Sequence, residues 1–300
     1  MIQDRVVSIV IPVYNDATGI SQTLDSIHQL DLLGMDAQVL VIDNGSTDKT
    51  QEVINEYVQA NEHIHLLVED EVQGSYAARN KGIRHADGGV LVFLDADETV
   101  ESNWLKTAIK AMREQNVDYL GCNVEITLSE HTLVGEYNVQ TGFPVKQYLE
   151  NDYYAPTCAL LVRHEVFENV GLFDARLTSG GDREFGERVK KAGYSQGYAE
   201  NAVVYHPART NFRPLAKKNY RVGQGFCQKQ RYYPQRFGKP GIPPRPNGSR
   251  SNNASDDTLS FTTRLIFRLL SFLMLACRGL GYYHEFFFGK IRDDIPSPAN

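Results

Sequence analysis

Four short apolar runs, at residues 6–13, 38–43, 64–68 and 90–94, alternate with helical stretches at 20–30, 47–58 and 77–85. The first run, VVSIVIPV, is rich in β-branched residues and almost wholly apolar, as expected of a parallel strand covered on both faces. Thr47 is expected to cap the second helix, and Ser102 a further helix reaching about residue 114. This β-α-β-α order predicts an α/β domain with a mostly parallel sheet flanked by helices. Ligands of such sheets bind at the carboxyl ends of the strands, near a switch point. Three of those ends are polar or acidic: Pro12-Val13-Tyr14-Asn15, Asp43-Asn44-Gly45-Ser46-Thr47-Asp48 and Asp95-Ala96-Asp97-Glu98.

The second half is less regular. A strand is expected at 157–163, short helices at 165–170 and 183–192, and a short strand at 203–205 ending at His206. Residues 240–256 are rich in Pro, Gly, Ser and Asn and read as a linker. Residues 259–288 form a mostly apolar helical stretch interrupted by Arg264, Arg268 and Arg278. The organisation expected is a first domain over 1–215, with halves meeting near residue 120. A basic helical segment, linker and amphipathic helix would follow over 216–300. No internal repeat is visible.

Hydrophobic residues make up 42% and charged residues 23%, which excludes a disordered chain. The net charge of −6 hides an asymmetry: between Glu200 and Asp256 there are eleven basic residues and no acidic one. Such a segment either meets an anion, such as a phosphate or a lipid headgroup, or is a solvated face on an acidic body. Cys122, Cys158, Cys227 and Cys277 are widely spaced and form no C-x-x-C pair, which argues against a zinc ribbon or redox motif and favours a reduced, cytoplasmic setting. The apolar run of MIQDRVVSIVIPVYN is short and interrupted by Pro12, so it reads as a strand rather than a signal peptide. No uninterrupted run of about 18 apolar residues occurs, so no membrane span is expected.

The strongest local chemistry is Asp95-Ala96-Asp97. Residues two apart in an extended segment point the same way, so both carboxylates would face one site and could hold a hard divalent cation. Acidic pairs in ordinary surface loops are the plain alternative. The segments VSIVIPVYN, VIDNGSTD, GSYAARNKGI and VLVFLDADE, in this order, are followed by CALLVRHEVFENVGLFD, SGGDREFGERVKKAGY and AVVYHP. Together they resemble family 2 glycosyltransferases over roughly residues 6 to 210.

The resemblance implies a GT-A fold, an inverting reaction and a nucleotide-diphosphate sugar donor, with a UDP-sugar as the first expectation. Pro12 and Tyr14 would lie beside the nucleoside, and Asp43 and Asn44 at its polar edge, where an amide can both donate and accept. Gly74, Arg79 and Asn80 would sit beneath the nucleotide, or Arg79 would serve a structural ion pair. Asp97 would be the main metal ligand, Asp95 would touch ribose or metal with Ala96 beside it, and His206 would be a third ligand. An imidazole among carboxylates favours Mn²⁺ over Mg²⁺. Asp182 would be the catalytic base, with helix capping as its structural alternative and Glu184 as the competing base. Gly180 and Gly181, with Ser179, would let an acceptor approach the backbone.

Rival functions are a sugar-phosphate nucleotidyltransferase, which would want a Gly-rich loop after the first strand, and a non-catalytic nucleotide-sugar-binding subunit. Gln228-Lys229-Gln230-Arg231-Tyr232 only approximates the Q-x-x-R-W motif of the family's polymer-secreting members, which favours transfer of one sugar at a time in polysaccharide or glycoconjugate synthesis. The acceptor would be a glycan or a lipid-linked glycan. The apolar stretch 259–288 would lie in a membrane interface at the inner face, pack on the body, or join a second copy in a homo-oligomer. No nucleic-acid partner is expected.

Overall fold

The computed structural model describes residues 6–32, 34–244 and 259–298. The first half follows the expected alternation: β1 (Val6–Val13), α1 (Ala17–His28), β2 (Asp36–Asp43), α2 (Thr50–Ala60), β3 (Ile64–Val68), α3 (Ser75–Arg84), β4 (Val90–Phe93), β5 (Thr99–Val100) and α4 (Trp104–Glu114). Then come β6 (Tyr119–Thr127), α5 (Leu133–Thr141), α6 (Val145–Asp152), a 3₁₀ turn (Thr157–Ala159), β7 (Leu160–Arg163), α7 (His164–Val170), α8 (Gly181–Lys191) and β8 (Gln196–Pro207). The chain continues through α9 (Phe212–Tyr232), α10 (Pro234–Phe237) and α11 (Phe261–Phe288). The expected linker lies largely outside the described residues.

The sheet runs β3-β2-β1-β4-β7-β6-β8-β5. Its first four strands are parallel, as the apolar runs predict. The rest is mixed: β7 is antiparallel to both β4 and β6, β8 is parallel to β6, and β5 is antiparallel to β8. β1 has β2 on one side and β4 on the other, so the crossovers diverge there and open a crevice at the carboxyl ends of β1 and β4. Ile9, Ile11, Val41, Val92 and Leu161 are fully buried, so the core spans both halves.

Several local expectations change. Thr47 does not cap α2; its N–H donates to Asn15 Oδ1 at 2.7 Å, and Asp48 Oδ1 accepts from the Thr50 N–H at 3.0 Å. The turn after β2 is thus pinned to the end of β1, and the helix starts later. Ser102 makes no cap either, since Asn103 precedes α4 without a side-chain bond. The strand expected at 203–205 is the end of the much longer β8. Its partner register jumps from Cys122↔Ala199 to Asn123↔Val203, so residues 200–202 are bulged out of the pairing with β6 and the strand resumes beyond them.

α11 lies across α9. A methyl on Gly223 would overlap the Arg278 carbonyl, and one on Gly281 the Tyr220 carbonyl, so the two backbones touch at the crossing. Leu215, Phe267, Leu270 and Met274 form a small second core there with Tyr137. The opposite face of α11 exposes Leu265, Leu269, Phe272 and Leu280. Contrary to the sequence reading, α11 is long and apolar enough to cross a membrane by length and composition, because its arginines interrupt the apolar run without lowering its average far.

Candidate active site

The end of β2 carries a buried polar framework. Asp43 is fully buried; its Oδ2 accepts from the N–H groups of Gly45 and Ser46 and from Gln51 Nε2 at 2.7 Å, while its Oδ1 has no partner. Asn44 donates through Nδ2 to the carbonyls of Glu69 and Val72, and its Oδ1 accepts from Gln73 Nε2 and, at 2.6 Å, from the Gly74 N–H. Its hydrogen-bonding capacity is used inside the protein, so Asn44 ties the 69–74 loop to β2 and does not offer the open base-reading edge expected of it. Gly74 has φ +148, in the region that suits glycine, and leads into α3. Tyr14, at the end of β1 beside half-buried Pro12, is 54% exposed and open to a ligand.

α3 delivers three buried side chains, Tyr76, Arg79 and Asn80. Asn80 holds the backbone of Phe173 on both sides, donating to its carbonyl and accepting from its N–H. Arg79 forms an ion pair with Asp95, the first carboxylate of the D-x-D segment. Burial pulls the Arg79 pKa down, but Asp95 and then Asp182 outweigh it and hold the guanidinium charged. Asp95, expected at ribose or metal, thus has Oδ1 engaged by Arg79. Its N–H donates to Glu98 Oε2 at 2.8 Å; Glu98 is fully buried, and burial, then the Asp95 charge, raise its pKa well above the usual carboxylate range. The Ala96 carbonyl approaches Gly19 of α1, where a Cβ would stand 2.8 Å from it.

Asp97 and His206 come into each other's field. Burial raises the Asp97 pKa, Asp95 adds to this, and His206 and Arg209 oppose it. Burial lowers the His206 pKa and keeps the ring neutral near pH 7. The His206 Nδ1–H donates to the Pro207 carbonyl at 2.8 Å, which leaves Nε2 with its lone pair. A half-buried carboxylate beside a neutral, oriented imidazole suits a divalent transition metal. Among the described residues, however, no three His, Cys, Asp or Glu side chains are grouped closely enough to hold one.

Asp182 sits in the first turn of α8, but Gly180 is the cap residue and makes no side-chain bond. Asp182 Oδ1 accepts from the Tyr76 hydroxyl at 3.0 Å and from Thr157 Oγ1 at 3.2 Å. Burial raises its pKa, while Arg79 and the Tyr76 hydrogen bond restrain the rise. Glu184, expected as the competing base, is not brought to the site. It is fully buried and paired with Arg188 at 2.9 Å and Arg236 at 2.6 Å.

The glycines before Asp182 make room for the protein's own side chains rather than for an acceptor. A Cβ on Gly181 would stand 2.7 Å from the Tyr76 ring, and one on Gly180 2.8 Å from Lys229 Nζ. The Ser179 backbone packs on Gly225 of α9, and Gln228 Oε1 accepts from the Thr178 N–H at 2.8 Å. The segment that approximates Q-x-x-R-W is thus a clip between α9, the 178–181 loop and α11, the last contact running through Arg231 and Glu285. Sequence reasoning missed Tyr76, Thr157 and Glu98. Tyr76 lies inside a segment already singled out, but only its contact across the fold with Asp182 reveals its part.

The glycosyl transferase family 2 model matches residues 8–171, more than half of the chain. This protein is a family 2 glycosyltransferase. It is 40% identical over 223 residues to the glycosyltransferase AglE of Haloferax volcanii, covering 74% of this chain and 73% of that one. It is 28% identical to the pre-mycofactocin glycosyltransferase of Mycobacterium tuberculosis, covering 73% of this chain and 46% of that one. Among solved structures, the Pyrobaculum calidifontis mannosyltransferase PcManGT, in complex with GDP-Man and Mn²⁺, superposes with a TM-score of 0.65 at 19% identity, over 95% of this chain and 88% of that one. TarS residues 1–349 of S. aureus, with UDP-GlcNAc, give 0.54 at 14% identity over 98% and 99%. These two establish the GT-A-like fold of the glycosyltransferase, a curled mixed sheet with a C-terminal helix.

Proposed function

We propose that this glycosyltransferase moves a sugar from a nucleotide-diphosphate donor to an acceptor hydroxyl by a single, inverting displacement, in glycoconjugate synthesis. The observation that carries the reading is the setting of Asp182. Tyr76 and Thr157 both bond Oδ1, which leaves Oδ2 to take the acceptor's proton as the new bond to the anomeric carbon forms. Arg79, which pairs with Asp95, opposes the burial-driven rise of the Asp182 pKa and so couples the base to the D-x-D turn.

The donor's nucleoside would lie over exposed Tyr14, at the crevice between β1 and β4. The unpartnered Asp43 Oδ1 is the polar group available to read the base. Asp97 and His206 are the residues that would hold a divalent cation, Mn²⁺ before Mg²⁺, which would offset charge on the leaving diphosphate. The complexes of the structural neighbours support a nucleotide sugar and a metal: GDP-Man with Mn²⁺ in one, UDP-GlcNAc in another. They leave guanine and uracil as alternative bases. A place at the inner membrane face fits α11, whose exposed apolar side and spaced arginines suit an interface.

A thermal-shift screen of nucleotide sugars with Mn²⁺ tests the reading, because a bound donor raises apparent stability. One nucleotide sugar should raise Tm by several degrees with metal and not with chelator. No response to any of them would favour a role without donor binding.

A further inference from the structure

The segment after α11 returns to the donor side of the molecule. It leaves the helix at Gly289, whose carbonyl accepts from Arg231 Nη1 at 3.1 Å. The Arg292 N–H donates to the Tyr232 hydroxyl of α9 at 2.8 Å. Arg292 Nη1 donates to the Ala175 carbonyl at 3.4 Å, and Arg176 Nη2 to Ser297 Oγ at 3.3 Å. A methyl on Gly171 would overlap the Pro298 carbonyl. Between these anchors Ile295, 5% exposed, joins Ala77 and Ala175 in a small buried cluster of its own, against which Val72 packs. With two alanines as its buried companions, Ile295 supplies most of the apolar side chain there. Val72 and Ala77 bracket the entry from the 69–74 loop into α3. Glu69 Oε1 accepts the Val72 N–H at 3.0 Å, and Asn44 Nδ2 donates to the Val72 carbonyl at 3.0 Å. Gln73 Nε2 and the Gly74 N–H, next in the chain, both donate to Asn44 Oδ1. Asn44 follows Asp43, whose unpartnered Oδ1 is the group available to the base. Contacts therefore run from Ile295 through Val72 and Asn44 to the donor end of β2.

We propose that residues 289–298 form a strap that holds the 69–74 loop and the start of α3 in the geometry the donor requires, with Ile295 as a positioning residue for donor binding. The proposal rests on the nucleotide-sugar reading of the crevice. Asn44 and Glu69 satisfy the loop's polar groups, and the Ile295 cluster adds the apolar contact that keeps Val72 and Ala77 together. A loop ordered before the nucleotide arrives spares binding the entropy of ordering it, so the strap raises donor affinity without touching the donor. The strap lies outside residues 8–171, which the family model matches.

Ile295→Asp and the milder Ile295→Ala, each in the full chain, test this, with Ile295→Val as the variant that keeps the contact. Amide hydrogen exchange is followed without ligand, and GDP and UDP are titrated with Mn²⁺ by calorimetry. Ile295→Asp should speed exchange of the Val72 and Gly74 amides at least tenfold while the β1 and β4 amides stay unchanged. It should weaken the nucleotide that binds at least fivefold. Ile295→Ala should move both readouts in the same direction, and Ile295→Val should leave both within twofold of the unaltered protein. Unchanged exchange at 72–74, or faster exchange there with nucleotide affinity unchanged, would overturn the proposal. So would faster exchange spread through β1 and β4 in both the Asp and Ala variants, which would place Ile295 in global stability. If neither nucleotide binds the unaltered protein, the donor reading fails, and exchange at 72–74 still decides whether the strap holds the loop.

Discussion

The Tyr76 hydroxyl accepts the Gly181 N–H at 2.9 Å and lies 3.0 Å from Asp182 Oδ1, so its single proton is committed to that carboxylate. The tyrosine fixes the orientation of Asp182 from a helix more than a hundred residues away. Tyr76→Phe should therefore lower kcat by roughly tenfold, the scale of a hydrogen bond to a charged group, with little change in KM for the donor. A change in donor KM alone would place Tyr76 in binding instead.

The pH profile should carry the same signature. Burial raises the Asp182 pKa above 3.8. A base works only when ionised, so kcat/KM should fall as pH drops through this raised value. Because the Arg79 charge lowers the Asp182 pKa, Arg79→Gln should move the acid limb to higher pH. An acid limb that stays in place in the variant would show that another group titrates.

Glu184 gives a contrasting outcome. It is buried between Arg188 and Arg236, and removing one partner of a buried ion pair costs about 3–5 kcal/mol. Glu184→Gln should melt at a lower temperature, while the folded fraction keeps its turnover within about a factor of two, since the side chain never reaches the site. A hundredfold loss of turnover in a folded variant would restore it as the base.

Much of this was legible in the sequence, and the reasons differ by element. β1 to β4 announce themselves because strands covered on both faces need continuous apolar runs. β8 did not, because Glu200 and Asn201 interrupt its apolar run and the pairing is bulged at 200–202. α9 was expected only as part of a basic helical segment, and its pairing with α11 through Arg231 and Glu285 is a contact across the fold. The D-x-D turn and Asp182 were visible as residue types in order. That Asp95 faces Arg79, that Asn44 is spent on the 69–74 loop, and that Gly180 and Gly181 accommodate Lys229 and Tyr76 depend on contacts across the fold that no local pattern encodes.

Asp97 should be the residue on which metal dependence turns. Asp97→Ala should remove the difference in nucleotide affinity between Mn²⁺ and chelator, measured by titrating GDP and UDP into each. A variant that still binds one of them more tightly with Mn²⁺ would shift the metal role elsewhere, to Asp95 freed from Arg79.

The most direct test of the central claim is Asp182→Asn, assayed with the nucleotide sugar that most stabilises the protein. Asparagine keeps the shape and can accept the Tyr76 hydrogen bond, but cannot take a proton at neutral pH. Donor affinity should be unchanged, and acceptor-dependent release of the nucleoside diphosphate should fall by at least about a hundredfold. Release within a few-fold of the unaltered protein, at unchanged affinity, would contradict Asp182 as the catalytic base.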